Sequence, residues 1–427
     1  MSGNGAVLAA STIGNEYHNT GGVYVFDWDE AQQKYIRRDF GTTNHRYRLH
    51  YSCSAADNCQ SPWRGGMFGF KLSLDREGET LAIGWPLKMN GGDNRNGIGT
   101  ARVVDLTKTG SGWRWDDWTS GGSPAFVDLD GYGWEQSSST SAWVSYPRNG
   151  RAVALSGDGL RLAVGGYGHD STSIGWLSGG YVRVWERADK DSAWHAMGNV
   201  NTAGFGGGYD NIPGLSDDQK RHHSDLYWTD VYGYLHSHQT DNFGEAVSLN
   251  YDGSVIAVGA PWFRNAERRG YVAWKRWDDG AQQWQWVGKA TTSAPWYWEE
   301  TVGYNDNGWG SVQGANLGYS VHLSDDGTVL AASASGLRNT PNGESDAYTG
   351  YVRVWEVLDV TSTTELWTMI APQSSSWGDM AGSNGEDKFG LGLALSADGR
   401  TIAMGSGNRI KADPSKGYLR VRSIAST

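Results

Sequence analysis

The stretch from Phe389 to Gly405 reads FGLGLALSADGRTIAMG. Apolar and small residues alternate as far as Leu395, Asp398-Gly399 interrupts them, and the alternation resumes at Thr401. Period-two alternation marks a strand, and Asp-Gly between two such runs marks a tight hairpin. The same text recurs along the chain: FGFKLSLDREGETLAIGW from Phe68, NGRAVALSGDGLRLAVGG from Asn149, FGEAVSLNYDGSVIAVGA from Phe243 and LGYSVHLSDDGTVLAASA from Leu317. The N-terminus joins in mid-unit, because Gly5-Ala-Val-Leu-Ala-Ala-Ser11 matches Gly327-Thr-Val-Leu-Ala-Ala-Ser333. The chain therefore holds six copies of one unit.

Each copy continues with a third apolar run: GGVYVFDWD from Gly21, GTARVVDLT from Gly99, GGYVRVWER from Gly179, RGYVAWKRW from Arg269, TGYVRVWEV from Thr349 and KGYLRVRSI from Lys416. A fourth, often marked by Trp, follows in GWRWDDW, SAWHAMG, QQWQWVG and ELWTMIA. A long period with four antiparallel strands per unit is the pattern of a β-propeller, whose blades cover one another's faces. The expected fold is all-β, a single domain over residues 1–427. Its blades are four-stranded antiparallel sheets, six in number, or seven if a degenerate unit sits in an insertion. The first unit lacks its first strand and the last lacks its fourth. Either the ring closes on incomplete sheets, or an unpaired edge accepts a strand from a second chain. The strand aromatics Trp28, Trp185, Trp274 and Trp355 are expected to fill the spaces between blades.

Composition agrees: 61 Gly, 23 Trp and 21 Tyr in 427 residues suit short twisted strands and many turns. The formal net charge of −11 comes without a basic patch, which argues against nucleic acid as a partner. No apolar run reaches the length of a transmembrane segment. The first residues lack the basic and apolar regions of a signal peptide. Cys53 and Cys59 are close enough for a small disulfide loop, which points to an oxidising compartment and hence to a secreted or cell-surface protein.

Topology divides the propeller into two sides. The tight Asp-Gly turns join first and second strands on one side. The longer connections lie on the other, with insertions at roughly 41–67, 119–148, 199–242 and 289–316. Variable loops on a rigid scaffold are where binding usually resides. These loops carry many Trp residues among Gly, Asn, Asp and Ser, a combination suited to sugars. An aromatic face meets the C–H side of a pyranose while amides and carboxylates meet its hydroxyls. Trp85 and Trp262 directly follow second strands at matching places, with Asp93 and Asn265 nearby, and form the expected ligand-binding set. Asp128, Asp130 and Glu135, in DLDGYGWE, resemble part of a calcium loop and make calcium the one metal to consider. His222, His223, His236 and His238 lack a complete metal-ligand spacing and fit a solvated insertion better. No phosphate-binding loop, nucleophile elbow or zinc-protease motif occurs, so no catalytic residue is assigned.

The hairpin unit resembles the FG-GAP repeat of integrin-alpha-type propellers. Phe243-Gly244 with Gly259-Ala260-Pro261 gives that motif literally, and Phe68-Gly69, Phe389-Gly390 and Gly84-Trp85-Pro86 give parts of it. The whole pattern is most similar to extracellular FG-GAP repeat proteins of algae and other microbes. The resemblance implies surface adhesion, matrix assembly or glycan binding. The calcium that such hairpins hold elsewhere does not carry over, because the turns at Asp158, Asp252, Asp326 and Asp398 are too short for it. The first expectation for function is a non-catalytic module recognising a glycan or a cell-surface or matrix protein. The second is a structural subunit of a fibre, coat or matrix that self-assembles through its incomplete terminal blades. The third is a polysaccharide-active enzyme.

Overall fold

The structure is a computed structural model that describes residues 1–12, 22–38, 67–87, 99–106, 126–130, 148–166, 181–197, 242–261, 271–280, 283–288, 316–335, 350–362, 367–371, 380, 388–407 and 417–424. Every element of three or more residues among them is a β-strand or a turn. Sheet 1 holds β1 (Val7–Thr12), β2 (Gly22–Asp29) and β3 (Lys34–Arg37). Sheet 2 holds β4 (Leu72–Leu74), β5 (Thr80–Trp85), β6 (Thr100–Asp105) and β7 (Phe126–Asp130). Sheet 3 holds β8 (Ala152–Leu155), β9 (Arg161–Gly166), β10 (Tyr181–Glu186) and β11 (His195–Ala196). Sheet 4 holds β12 (Ala246–Leu249), β13 (Val255–Ala260), β14 (Tyr271–Asp278) and β15 (Gln283–Trp286). Sheet 5 holds β16 (Leu317–Leu323), β17 (Val329–Ala334), β18 (Tyr351–Glu356) and β19 (Thr368–Ala371). Sheet 6 holds β20 (Phe389–Leu395), β21 (Thr401–Ser406) and β22 (Leu419–Ser423). Within each sheet the strands pair antiparallel in chain order, as a meander.

Five apolar clusters hold these sheets together, one between each consecutive pair. In β5, Leu81 and Ile83 enter the cluster with sheet 1, while Ala82 enters the cluster with sheet 3. Alternation thus serves both faces, and both are covered, so β5, β13 and β17 are buried along their whole length. This stack of face-to-face meanders is the blade arrangement of a β-propeller.

A chain of backbone hydrogen bonds ties the hairpin turns of neighbouring sheets. Asn4 N donates to Arg76 O, Arg76 N to Gly157 O, Asp158 N to Tyr251 O, Tyr251 N to Asp325 O, and Asp325 N to Ala397 O, at 2.8–3.1 Å. The turns are built alike. Ser156, Ser324 and Ser396 each donate through Oγ to the Asp two residues on, and each accepts from the backbone N–H five residues on. The Asp398 and Asp326 carboxylates lie below the usual range; at Asp398 the hydroxyl of its Ser is the leading cause, whereas at Asp326 burial is the largest single influence and raises it, and the bonds from Ser324 and Thr328 together outweigh it.

Two expectations need correction. The fourth strand of sheet 2 is β7, inside the stretch read as an insertion, whereas GWRWDDW lies outside the described residues. Trp28 is 38% exposed, because it stands on the face of sheet 1 that no other sheet covers among the described residues. Trp185, Trp274 and Trp355 do fill the spaces between sheets. Of the calcium set, Asp128 and Asp130 belong to β7, their backbones paired with Arg102 and Thr100. Among the described residues, no group of three His, Cys, Asp or Glu side chains is placed to hold a metal. Glu135, Cys53 and Cys59 lie outside the described residues.

Candidate functional site

Each first strand begins with the same tight turn. The residue before the Phe-Gly pair or its equivalent has positive φ at Met67, Arg148, Asn242, Asn316 and Lys388, and so does the Gly itself, at 85–93°. Glycine adopts that region without strain, which is why Gly holds this place in all five units. The residue after the Gly then carries Phe70, Arg151, Glu245, Tyr319 or Leu391. The copies differ in chemistry at this place.

The structure brings these side chains together. Arg151 donates from Nε and Nη2 to Oε1 of Glu245, at 3.0 and 2.5 Å, across sheets 3 and 4. Its guanidinium also stands 4.1 Å from the centre of the Phe70 ring of sheet 2. The Glu245 carboxylate side chain is 6% exposed, and that of Arg151 24%. Lys71 of sheet 2 is held below its usual range by burial, then by the Arg151 charge, with Glu245 opposing. Its side chain is exposed to solvent all the same. The Tyr319 phenol of sheet 5 is pushed up by burial and then by Glu245. His322, further along β16, is pushed down to about 4 by burial and then by Lys71. First strands of four sheets thus converge on one axis, and this cluster stands where they emerge from the long connections. In a β-propeller the first strands are innermost, so the fold assigns this cluster to the loop-side end of the central axis, the channel mouth.

His322 makes a testable contribution. An unfolded chain binds its proton near pH 6.5, the folded chain only near pH 4. Between these values the unfolded state holds more protons, so stability falls as the pH drops from about 6.5 to about 4. Urea midpoints measured across that window should show a shallower decline for His322→Phe than for wild type. Equal slopes would remove His322 as the source.

The opposite side of the disc is closed by charge. Arg76 of sheet 2 pairs with Asp325 of sheet 5 and lies over the Tyr251 ring of sheet 4. Lys190 bridges Asp75 and Glu79, and Arg187 donates to Gly159 O and Thr80 Oγ1. These groups are spent on one another and on the turns.

Of the residues expected to bind ligand, Trp85 is placed elsewhere. It is 3% exposed, meets Phe68 edge-on at 5.4 Å, and has the Arg102 guanidinium 5.6 Å from its ring. A ring so covered is core, not a stacking platform. As the last residue of β5 it lies on the face turned to sheet 1, with Leu81 and Ile83. Trp85→Ala should cost about 3 kcal/mol of stability, the lower end for a buried aromatic, read from urea unfolding. A variant as stable as wild type would restore the exposed reading. Trp262, Asp93 and Asn265 lie outside the described residues. Sequence reasoning missed the channel mouth because it assigned the repeat to scaffold. The available signal was the residue after each Phe-Gly, which varies within an otherwise uniform text.

No protein-family model and no curated protein matches the chain. Among solved structures it is similar to the β-propeller domain of Cps50 (Swd1) from Myceliophthora thermophila, at 11% identity and a TM-score of 0.43, over 100% of this chain and 83% of that one. It is also similar to the periplasmic gluconolactonase PpgL of Pseudomonas aeruginosa, at 15% identity and 0.38, over 98% and 82%. A third is Sqt1 of Chaetomium thermophilum, solved with the N-terminus of ribosomal protein L10, at 13% and 0.40, over 93% and 65%. Likenesses of this size say nothing of the chemistry of this chain.

Proposed function

We propose that this chain is a non-catalytic binding module of FG-GAP type, secreted or displayed at a cell surface, that recognises an acidic glycan on the loop side of the disc. The observation that carries the reading is the gathering of Phe70, Lys71, Arg151, Glu245 and Tyr319 at the channel mouth, beside the connections that hold the unrepeated sequence. Two aromatic side chains there, Phe70 and Tyr319, keep part of their surface accessible. Burial and Arg151 together disfavour the charged form of Lys71, and an arriving carboxylate would relieve both. The Glu245 carboxylate is engaged with Arg151, which suits holding a ligand rather than transferring a proton. Trp262, Asp93 and Asn265 belong to the same proposed surface.

A glycan array that includes uronic-acid oligosaccharides tests this. Wild type should retain acidic glycans, and Lys71→Ala should lose them at least tenfold while melting normally. Absence of binding by folded wild type, or retention unchanged by Lys71→Ala, would overturn the reading. The faces of sheets 1 and 6, which no other sheet covers among the described residues, favour a second reading, an assembling structural subunit.

A further inference from the structure

We infer that Lys71 and His322 form an oxyanion site on the channel axis, inward of the mouth, for the carboxylate of a glycan's end residue or for a free inorganic anion. The glycan occupant rests on the reading given above; the site itself does not.

First strands keep one register after the Phe-Gly turn. The second residue past the Gly is Lys71, Ala152, Ala246, Ser320 or Gly392, and the fourth is Ser73, Ala154, Ser248, His322 or Ala394. The residues between them, Leu72, Val153, Val247, Val321 and Leu393, are taken up by the apolar clusters. In these two innermost rings every residue but Lys71 and His322 is Ala, Ser or Gly. At the fourth place, Ser73 and Ser248 use Oγ to accept from the next first strand, from Leu155 N and Leu323 N at 2.9 and 3.1 Å. His322 makes no such bond. It stands three residues past Tyr319, about 10 Å further from the mouth at the rise of a strand.

The two bases meet across the axis. Sheets 2 and 5 are three apart in the ring, yet the charge of Lys71 acts on His322. Arg76 and Asp325 span the same two sheets at the Asp-Gly side, which leaves the mouth as the way in and favours a chain end over a threaded chain. Neither Lys71 nor His322 has a hydrogen bond or ion pair among the described residues. Glu245, the acid that acts on Lys71, accepts both Arg151 donors. From sheet 6, Gly392 and Ala394 bring no charge. Two enclosed bases without a counter-ion, in a ring of small side chains, suit an oxyanion: Lys71 supplies charge, the His322 ring an N–H, and Ser320, on the same face of β16, a hydroxyl. Burial and Lys71 hold His322 neutral, and an anion between the two bases opposes both influences. A proton is then taken up as the anion binds.

The test is calorimetry of the whole chain with sodium sulfate, glucuronate and glucose at pH 5 and pH 7, where both anions stay ionised. Sulfate and glucuronate should saturate, and glucose should not. If the anion restores His322 from about 4 to its ordinary 6.5, affinity rises about twentyfold from pH 7 to pH 5. Lys71→Met should weaken both anions at least tenfold, and His322→Gln should bind them equally at the two pH values. The His322→Gln result decides whether or not Lys71→Met folds. No saturation by either anion overturns the inference, as does affinity indifferent to both variants or a pH gain that survives His322→Gln. Sulfate bound with glucuronate refused upholds the site and gives it to a free anion. Acidic glycans retained on an array through Lys71 without the pH gain would overturn this inference and leave the glycan reading standing.

Discussion

Gly259→Val is expected to leave little folded protein, with a loss of about 4 kcal/mol or more, at the upper limit of single substitutions. The reason is what stands opposite. A side chain at Gly259 would overlap the carbonyl oxygen, carbonyl carbon and Cα of Gly318 in sheet 5. A backbone held by its own ladder cannot rotate away as a side chain can. The seam must then open, and the cluster containing Val255, Trp274, Tyr351 and Trp355 loses its close fit. Stability of a domain is commonly about 5–15 kcal/mol, so one such loss is a large fraction of it. Urea unfolding followed by tryptophan fluorescence measures it. A midpoint close to wild type would mean that sheets 4 and 5 do not meet there. Gly405→Val is the internal control, with the same residue at the same register and, among the described residues, nothing from a neighbouring sheet opposite.

Arg151→Ala is expected to cost about 3–5 kcal/mol, because it strands a buried carboxylate. The Glu245 side chain is 6% exposed and receives both Arg151 donors. Removing both charges with an apolar pair, Arg151→Met with Glu245→Leu, should recover most of that loss, since the large cost belongs to the unpaired charge and not to the pair itself. A double variant as unstable as the single one would show that Arg151 acts through its packing on Phe70 instead.

The architecture was legible because it is written redundantly. Six copies of one alternating text leave no other period to consider, and period two fixes which residues share a face. Second and third strands fall where that text places them, and the two incomplete sheets are the two expected ones. The fourth strand of sheet 2 was not legible. An edge strand is specified by one neighbour only, and Trp-rich GWRWDDW matched the local pattern better than the residues of β7 do.

Local sequence also determined the hairpin turns, because Ser, Asp and Gly within five residues satisfy one another without help from elsewhere. What lies between sheets was decided by the tertiary structure alone. Trp85 reads as a strand-end aromatic open to a loop, yet it is covered at the seam between sheets 1 and 2, where it meets Phe68. Phe70, Arg151, Glu245 and Tyr319 are far apart in sequence and sit in a repeat that reads as scaffold. Only radial stacking of the sheets brings their equivalent positions to one axis. The sequence by itself determined the blade, an object of local period and turn chemistry. How blades face each other depends on contacts between residues that no local pattern links, and the channel mouth arises there.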